Sequence, residues 1–391
     1  MKFFLLVILA CVVSCQSNSP PQLSSESTPS YEKLHFQHLD AQTLEDIFNI
    51  QKAIKLETHE HALIGRINKV KIAEKTRNIV VGDYYSSSAI FIFDKDGAFI
   101  RRVGQKGPGP GEYRQLTDFS INEKEELFLL ADRTVLKYSP TGKFIGKKSL
   151  TFAPIEIFSH LGLQYIRVGI GKPDTKSPSF LIYDNDLRNI GSIGSLDLRQ
   201  NKYLTTSSPT IAAYEDSLYF TDLYAPSLNK YKKSQLRTWK FGEENPAFLA
   251  AWNEEPFNEG SRKEIRDNLW NFPLIHTFDG SLLFFEASRG ADFSVDRYRM
   301  IHLDTLKAVT FKGSILRDTD PANKNSPSIR RIVGHSPKSL IGVINDPMRF
   351  SDFKSSNPCF KDILFTAKDN QILIFFNLKS DVYNKTSPTQ I

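Results

Sequence analysis

Phe91-Ile-Phe-Asp-Lys-Asp-Gly-Ala-Phe-Ile100, Leu136-Lys-Tyr-Ser-Pro-Thr-Gly-Lys-Phe-Ile145 and Leu181-Ile-Tyr-Asp-Asn-Asp-Leu-Arg-Asn-Ile190 are three versions of one pattern. Each is an alternating apolar run, a short polar turn and a second run, which is the signature of a β-hairpin. The aromatic residue before each turn is Phe93, Tyr138 and Tyr183, two intervals of 45 residues. Gly97 and Gly142 stand where a bulged turn needs a positive φ, which glycine supplies at little cost.

Upstream of such hairpins lie strands that end in an acid: Ile79–Asp83, Leu127–Asp132, Leu218–Asp222 and Leu282–Glu286. These acids recur with the unit and read as turn-stabilising groups. Further hairpins follow at Leu228–Trp239 and Arg299–Phe311, and a last strand at Gln371–Asn377. Four strands per unit and a period of about 40–45 residues predict an all-β fold, a β-propeller of four-stranded antiparallel blades. Six blades fit, near residues 65–104, 116–150, 155–194, 209–242, 270–313 and 328–378. The alternating segment Gln51–Glu57 precedes the first blade and is expected to pair with the last, closing the ring and removing its free edges. The period is interrupted at 243–269, a small insertion read as partly helical, and at 313–361, rich in Pro, Ser, Lys and Asp. The propeller is thus placed at 33–380, followed by a tail at 381–391.

The composition agrees with this reading. Of 391 residues, 40% are hydrophobic and 24% charged, which excludes a wholly disordered chain and a polytopic membrane protein. A net charge of +6 over this length does not argue for nucleic acid.

The N-terminus reads as an address. Residues 1–14 hold Lys2 and an apolar run from Phe3 to Val13, the layout of a signal peptide. Val12-Val13-Ser14-Cys15 matches a bacterial lipobox, so lipidation is expected on Cys15 after cleavage before it. Residues 15–32 follow as a tether rich in Ser and Pro, without apolar periodicity. Cys11 leaves with the signal and Cys359 remains the one thiol of the body, so no internal disulfide is expected. Gln16 after the cysteine favours the outer membrane facing the periplasm, with exposure on the cell surface as the alternative.

After the first hairpin comes Val103-Gly-Gln-Lys-Gly-Pro-Gly-Pro-Gly-Glu-Tyr113. Here Gly104, Gly107, Gly109, Pro110, Gly111, Glu112 and Tyr113 match a motif of the six-bladed β-propeller lipoproteins of Bacteroidota, whose blades are similar to NHL repeats. Leu56–Thr58 and Ala62–Gly65 resemble that family's first strand. The resemblance implies the propeller and the cell envelope, with no established common activity and no catalytic residues to carry over. A phosphate cradle is the competing reading of the cluster. It fails because Pro108 and Pro110 remove two donors and no Gly-Lys-Ser/Thr follows. The cluster is expected to be an inter-blade connection pinned by Glu112 and Tyr113.

Other constellations read as local structure. His59-Glu60-His61 lacks helical metal-site spacing and is expected to be a solvated turn, and Asp94-Lys-Asp-Gly97 lacks the remaining ligands of a calcium loop. No G-x-S-x-G elbow or Ser/His/Asp set is present, so no catalytic residue is assigned. The reading is therefore a lipid-anchored binding or interaction module, with no cofactor and an envelope protein, glycan or peptide as partner. Trp252 and Trp270 are candidate contacts beside the first insertion, together with the Arg and Lys residues of 313–361. The rival is a calcium-dependent hydrolase or lyase working in the channel, with Asp118, Asn271 and Asp362 as the acidic and amide groups offered by inner strands. A structural subunit of an envelope complex is a third reading.

Overall fold

The computed structural model describes residues 32–41, 44–169, 178–194, 209–221, 227–241, 260, 270–271, 276–288, 296–312, 331–344, 350 and 358–384. The strands fall into six antiparallel blades set around an axis. Blade one is Lys69–Ile72, Ile79–Asp83, Ala89–Phe93 and Phe99–Val103. Blade two runs Leu116–Ile121, Leu127–Ala131, Thr134–Tyr138 and Phe144–Ser149. Blade three is Pro154–His160, Leu163–Val168, Phe180–Asp184 and Asn189–Ile193. Blade four is Ile211–Tyr214, Ser217–Thr221, Ser227–Lys232 and Gln235–Lys240.

In blade five the short strands Trp270–Asn271 and His276–Phe278 both pair with Ser281–Ser288, followed by Asp296–His302 and Ala308–Lys312. Blade six begins with Arg331–His335 and Leu340–Ile344, both inside the stretch 313–361 read as an insertion, and continues with Ile372–Leu378. Its fourth strand comes from the other end of the chain, as Phe48–Lys55 pairs antiparallel with Ile372–Leu378. The ring-closing segment expected at Gln51–Glu57 is this strand. Blades six and one are also bonded directly, because Gly334 and His335 pair in parallel with Val70 and Lys71. That approach needs glycine: a Cβ on Gly334 would lie 2.3 Å from the Val70 carbonyl oxygen.

The strand period of two divides each blade's side chains between two neighbours. Ile79 and Val81 pack towards blade six, while Val80 packs towards blade two. The buried apolar side chains form six clusters among the described residues, one at each seam of the ring. A single blade has no independent core, so each depends on its neighbours.

The three hairpins share one hydrogen-bond frame. Gly97, Gly142 and Leu187 each donate to the carbonyl three residues back and have φ of 95°, 84° and 61°. Leu187 takes the left-handed conformation without being glycine.

Before closing the ring the chain straps two other blades. Glu32–Lys33 adds a parallel edge to blade four, and Gln37–His38 does the same on blade five. Glu32 falls in the stretch read as tether. At the other end Val382–Asn384, read as tail, forms a 3₁₀ turn with Val382 buried and Tyr383 Oη 2.8 Å from Ser281 Oγ. The insertion 243–269 lies outside the described residues apart from Gly260.

Candidate functional site

The first strands of successive blades lie against one another around the axis, and they carry charge in otherwise apolar runs. Lys69 and Lys71 come from blade one, Asp118 from blade two, Glu156 from blade three, His276 from blade five and His335 from blade six. Register irregularities fall between Leu116 and Asp118, between Pro154 and Glu156, and between Ile332 and Gly334. An extra residue at the same place in three blades bends the strand and re-aims the side chain that follows.

These groups form two satisfied networks. Asp118 accepts Lys69 Nζ at 2.9 Å on each oxygen, Tyr84 Oη at 2.7 Å and the Ile157 amide at 2.9 Å. Glu156 accepts the Thr210 amide at 3.0 Å, and Thr210 Oγ1 in turn takes Arg167 Nη1 at 2.6 Å. Burial, opposed by Lys69, raises the Glu156 pKa. Burial and the Asp118 charge push the Tyr84 phenol well up.

The remaining groups are not matched in charge. His276 Nδ1 lies 3.0 Å from His335 Nδ1. One ring must therefore carry its proton on Nδ1 and the other on Nε2. Burial, with Lys71 next in effect, lowers His276 to about 3 and His335 well below its ordinary value, so both rings are neutral. His276 Nε2 is buried with no hydrogen-bond partner among the described residues. Lys71 Nζ sits 4.9 Å over the Phe158 ring and has no hydrogen bond or ion pair among the described residues. Burial and the neighbouring Lys69 lower its pKa to about 7.

Lys71 opens onto a cavity of about 390 Å³ at the end of the ring where first strands turn into second strands. Every blade contributes, for example Lys71, Ile121, Phe158, Tyr214, Thr277 and His335. Its size is that of a small-molecule pocket. The surrounding turns hold non-glycine residues at positive φ in five blades: Arg77, Glu125, Leu161, Glu215 and Asp279, at 62°, 62°, 49°, 52° and 47°. Each is a sparsely populated conformation held by the surrounding frame.

Of the residues singled out by sequence, Asp118 belongs to this polar centre, but its carboxylate is taken up by protein donors. Asn271 lies on a strand paired with Ala287, Asp362 is exposed, and Trp270 pairs with Ser288. Trp252, Cys15 and Asp222 lie outside the described residues. Among the described residues no group of three His, Cys, Asp or Glu side chains is placed to hold a metal, and no helix is long and apolar enough to cross a membrane. His59–His61 is a turn, with His61 donating its amide to His59 Nδ1 and His59 stacked on Phe99.

The glycine cluster is a connection between blades one and two. Gln105–Lys106 pairs in parallel with Glu112–Tyr113, Glu112 takes the Gly109 amide at 2.8 Å, and Tyr113 Oη reaches the Ser88 carbonyl at 2.9 Å. A Cβ on Gly107 would strike the Glu112 carboxylate at 2.1 Å. Asp83 holds the preceding turn by accepting the Gly65 and Ser86 amides at 2.9 Å.

Lys71, Glu156, His276 and His335 were not singled out from the sequence, where the signal is a polar residue in the innermost strand of four of the blades. Bulges shift their spacing, so the period alone does not align them.

No curated protein matches this chain by sequence. Among solved structures, a "Putative exported protein" of Bacteroides fragilis NCTC 9343 superposes with a TM-score of 0.69 at 15% identity, covering 90% of this chain and 99% of its own. Hydrazine synthase of Kuenenia stuttgartiensis gives a TM-score of 0.42 at 9% identity, over 73% of this chain and 75% of that one. Hsv2 of Kluyveromyces lactis gives 0.40 at 10% identity, over 77% of each chain. The first of these supports the fold, and the other two are too distant to carry an argument. A family profile described as "6-bladed beta-propeller" matches residues 23–272, more than half of the chain. With six blades and six seams in place, the chain belongs to this family of six-bladed β-propellers.

Proposed function

We propose that the chain is an exported, lipid-anchored binding module of the cell envelope that takes a small ligand in the cavity at the channel end. The observation that carries the reading is the cavity of about 390 Å³, lined by all six blades and holding Lys71 without an ion-pair partner among the described residues. Polar groups converge there from the first strands, as Lys71, Thr277 and His335, and from the turns that follow them, which favours recognition at this end of the ring. The lipobox at Cys15 and the tether behind it support anchoring, and Gln16 favours the outer membrane facing the periplasm. The motif at 104–113 supports kinship with the NHL-like lipoproteins of Bacteroidota.

Ligand-observed NMR on the Cys15→Ala chain against a metabolite set tests the binding reading. Saturable binders are expected, and Ala213→Trp, which fills the cavity wall, abolishes them. Binders that survive this substitution, or none at all, remove the proposal. The anchor is tested separately: Cys15→Ala moves the protein from the membrane to the aqueous fraction.

A further inference from the structure

Among the described residues the polar centre holds three basic side chains against two acidic ones: Lys69 and Lys71 on the first strand of blade one and Arg167 on the second strand of blade three, against Asp118 and Glu156. Lys69 is paired with Asp118, and Arg167 is linked to Glu156 through Thr210. Lys71 is left over. Deepening the binding reading, on which it rests, we propose that the cavity takes a small monocarboxylate with an aromatic or apolar body, its carboxylate on Lys71 Nζ and its body against Phe158.

Three features favour this class. First, an ammonium held among apolar and neutral groups gains a strong charge-assisted hydrogen bond when a carboxylate arrives, because water competes poorly there. The groups facing Lys71 do not supply one: Asp118 is engaged by Lys69, Tyr84 and Ile157, Glu156 by Thr210, and His276 and His335 are neutral. Second, Phe158 lies under Lys71, and Phe278, Tyr214, Ile72 and Ile121 also line the cavity. They offer contact to an aromatic or hydrocarbon body. Third, the lining also includes Glu74, Glu123, Glu215 and Asp279 against one arginine, Arg77, with His160 near neutral at its lowered pKa. That acidic excess repels multiply charged anions such as phosphate esters, while a single negative charge passes at lower cost.

Four probes with one ring and different charge separate the terms: phenylacetate, phenyl phosphate, phenethyl alcohol and phenethylamine. Titrated into the Cys15→Ala chain by calorimetry to about 10 mM, phenylacetate is expected to saturate and phenyl phosphate to bind more weakly. The alcohol and the amine stay unbound. Lys71→Met weakens phenylacetate by about 10- to 100-fold, the loss of one hydrogen bond to a charged group, and Lys71→Arg retains most of it. Affinity for phenylacetate also falls as pH rises above about 7, where the free ammonium loses its proton.

Equal binding of the alcohol or the amine overturns the carboxylate inference and leaves the cavity a ligand site. An unchanged affinity in Lys71→Met overturns it as well. No binding by any probe, with the metabolite set also silent, removes both proposals.

Discussion

Lys69 Nζ stands 2.9 Å from both carboxylate oxygens of Asp118, across the seam between blades one and two, and both side chains are buried. The pair costs desolvation, and its two hydrogen-bonded neighbours, Tyr84 and Ile157, offset part of that cost. Asp118→Ala leaves an uncompensated ammonium and lowers stability by about 3–5 kcal/mol. Replacing both partners, as Lys69→Met with Asp118→Leu, restores most of it. Denaturant melts of the two variants read the difference, and equal losses would show that pairing is not the source.

Acidification acts through the histidine pair. In the unfolded chain His276 returns to its ordinary 6.5, whereas folded it titrates at about 3. The unfolded state therefore binds the extra proton below 6.5, and stability falls as pH drops from there towards 3. At about pH 5 the loss from His276 is on the order of 2 kcal/mol. Chemical melts between about pH 7.5 and 5 should show this slope, and His276→Asn should reduce it, with His335 supplying the rest.

Lys71 carries a cost in stability. Folding lowers its pKa from 10.5 to about 7, so at neutral pH the unfolded chain binds more protons and stability rises with pH across that window. Lys71→Met removes the penalty and raises stability by about 1–2 kcal/mol, less than the full shift because the side chain keeps surface in the cavity. A thermal melt reads the gain. A loss in this variant would mean that the ammonium has a structural partner.

Gly334 has no room for a methyl group, while a Cβ on Gly146 meets nothing within 4 Å. Gly334→Ala pushes on the Val70 backbone at the joint of blades six and one and costs about 1–3 kcal/mol. Gly146→Ala lies in a strand and changes stability little, or raises it slightly. The contrast between the two melting points is the measurement.

Phe48 opens the ring-closing strand and is fully buried, with ring centroids of Phe376, Phe278 and Phe311 at 5.2, 6.3 and 6.4 Å. It joins the last two blades. Phe48→Ala is expected to cost about 3–5 kcal/mol, seen in denaturant unfolding. A loss below about 1 kcal/mol would assign closure to the backbone ladder alone.

The blades were readable because the hairpins repeat both an aromatic and a turn at a constant interval, as Phe93, Tyr138 and Tyr183 do. Ring closure was readable because an alternating segment stood before the first blade without a partner of its own. The straps at Glu32–Lys33 and Gln37–His38 were not, since two-residue parallel contacts impose no pattern on side chains. The site was legible only in part. Asp118 stood out as a charge in an apolar strand, yet Lys71, Glu156, His276 and His335 have meaning only together. Four blades bring them together, and strand bulges displace Glu156 and His335 from the repeat.

Blade six takes one strand from residues 48–55 and the others from 331–378. Synthesis delivers the first of these strands long before its partner exists. It must wait, unpaired, until nearly the whole chain has arrived, and such distant pairings form slowly. Ring closure therefore acts as a test of completeness: a chain that stops short of residue 372 keeps an open edge and remains exposed to proteases and self-association.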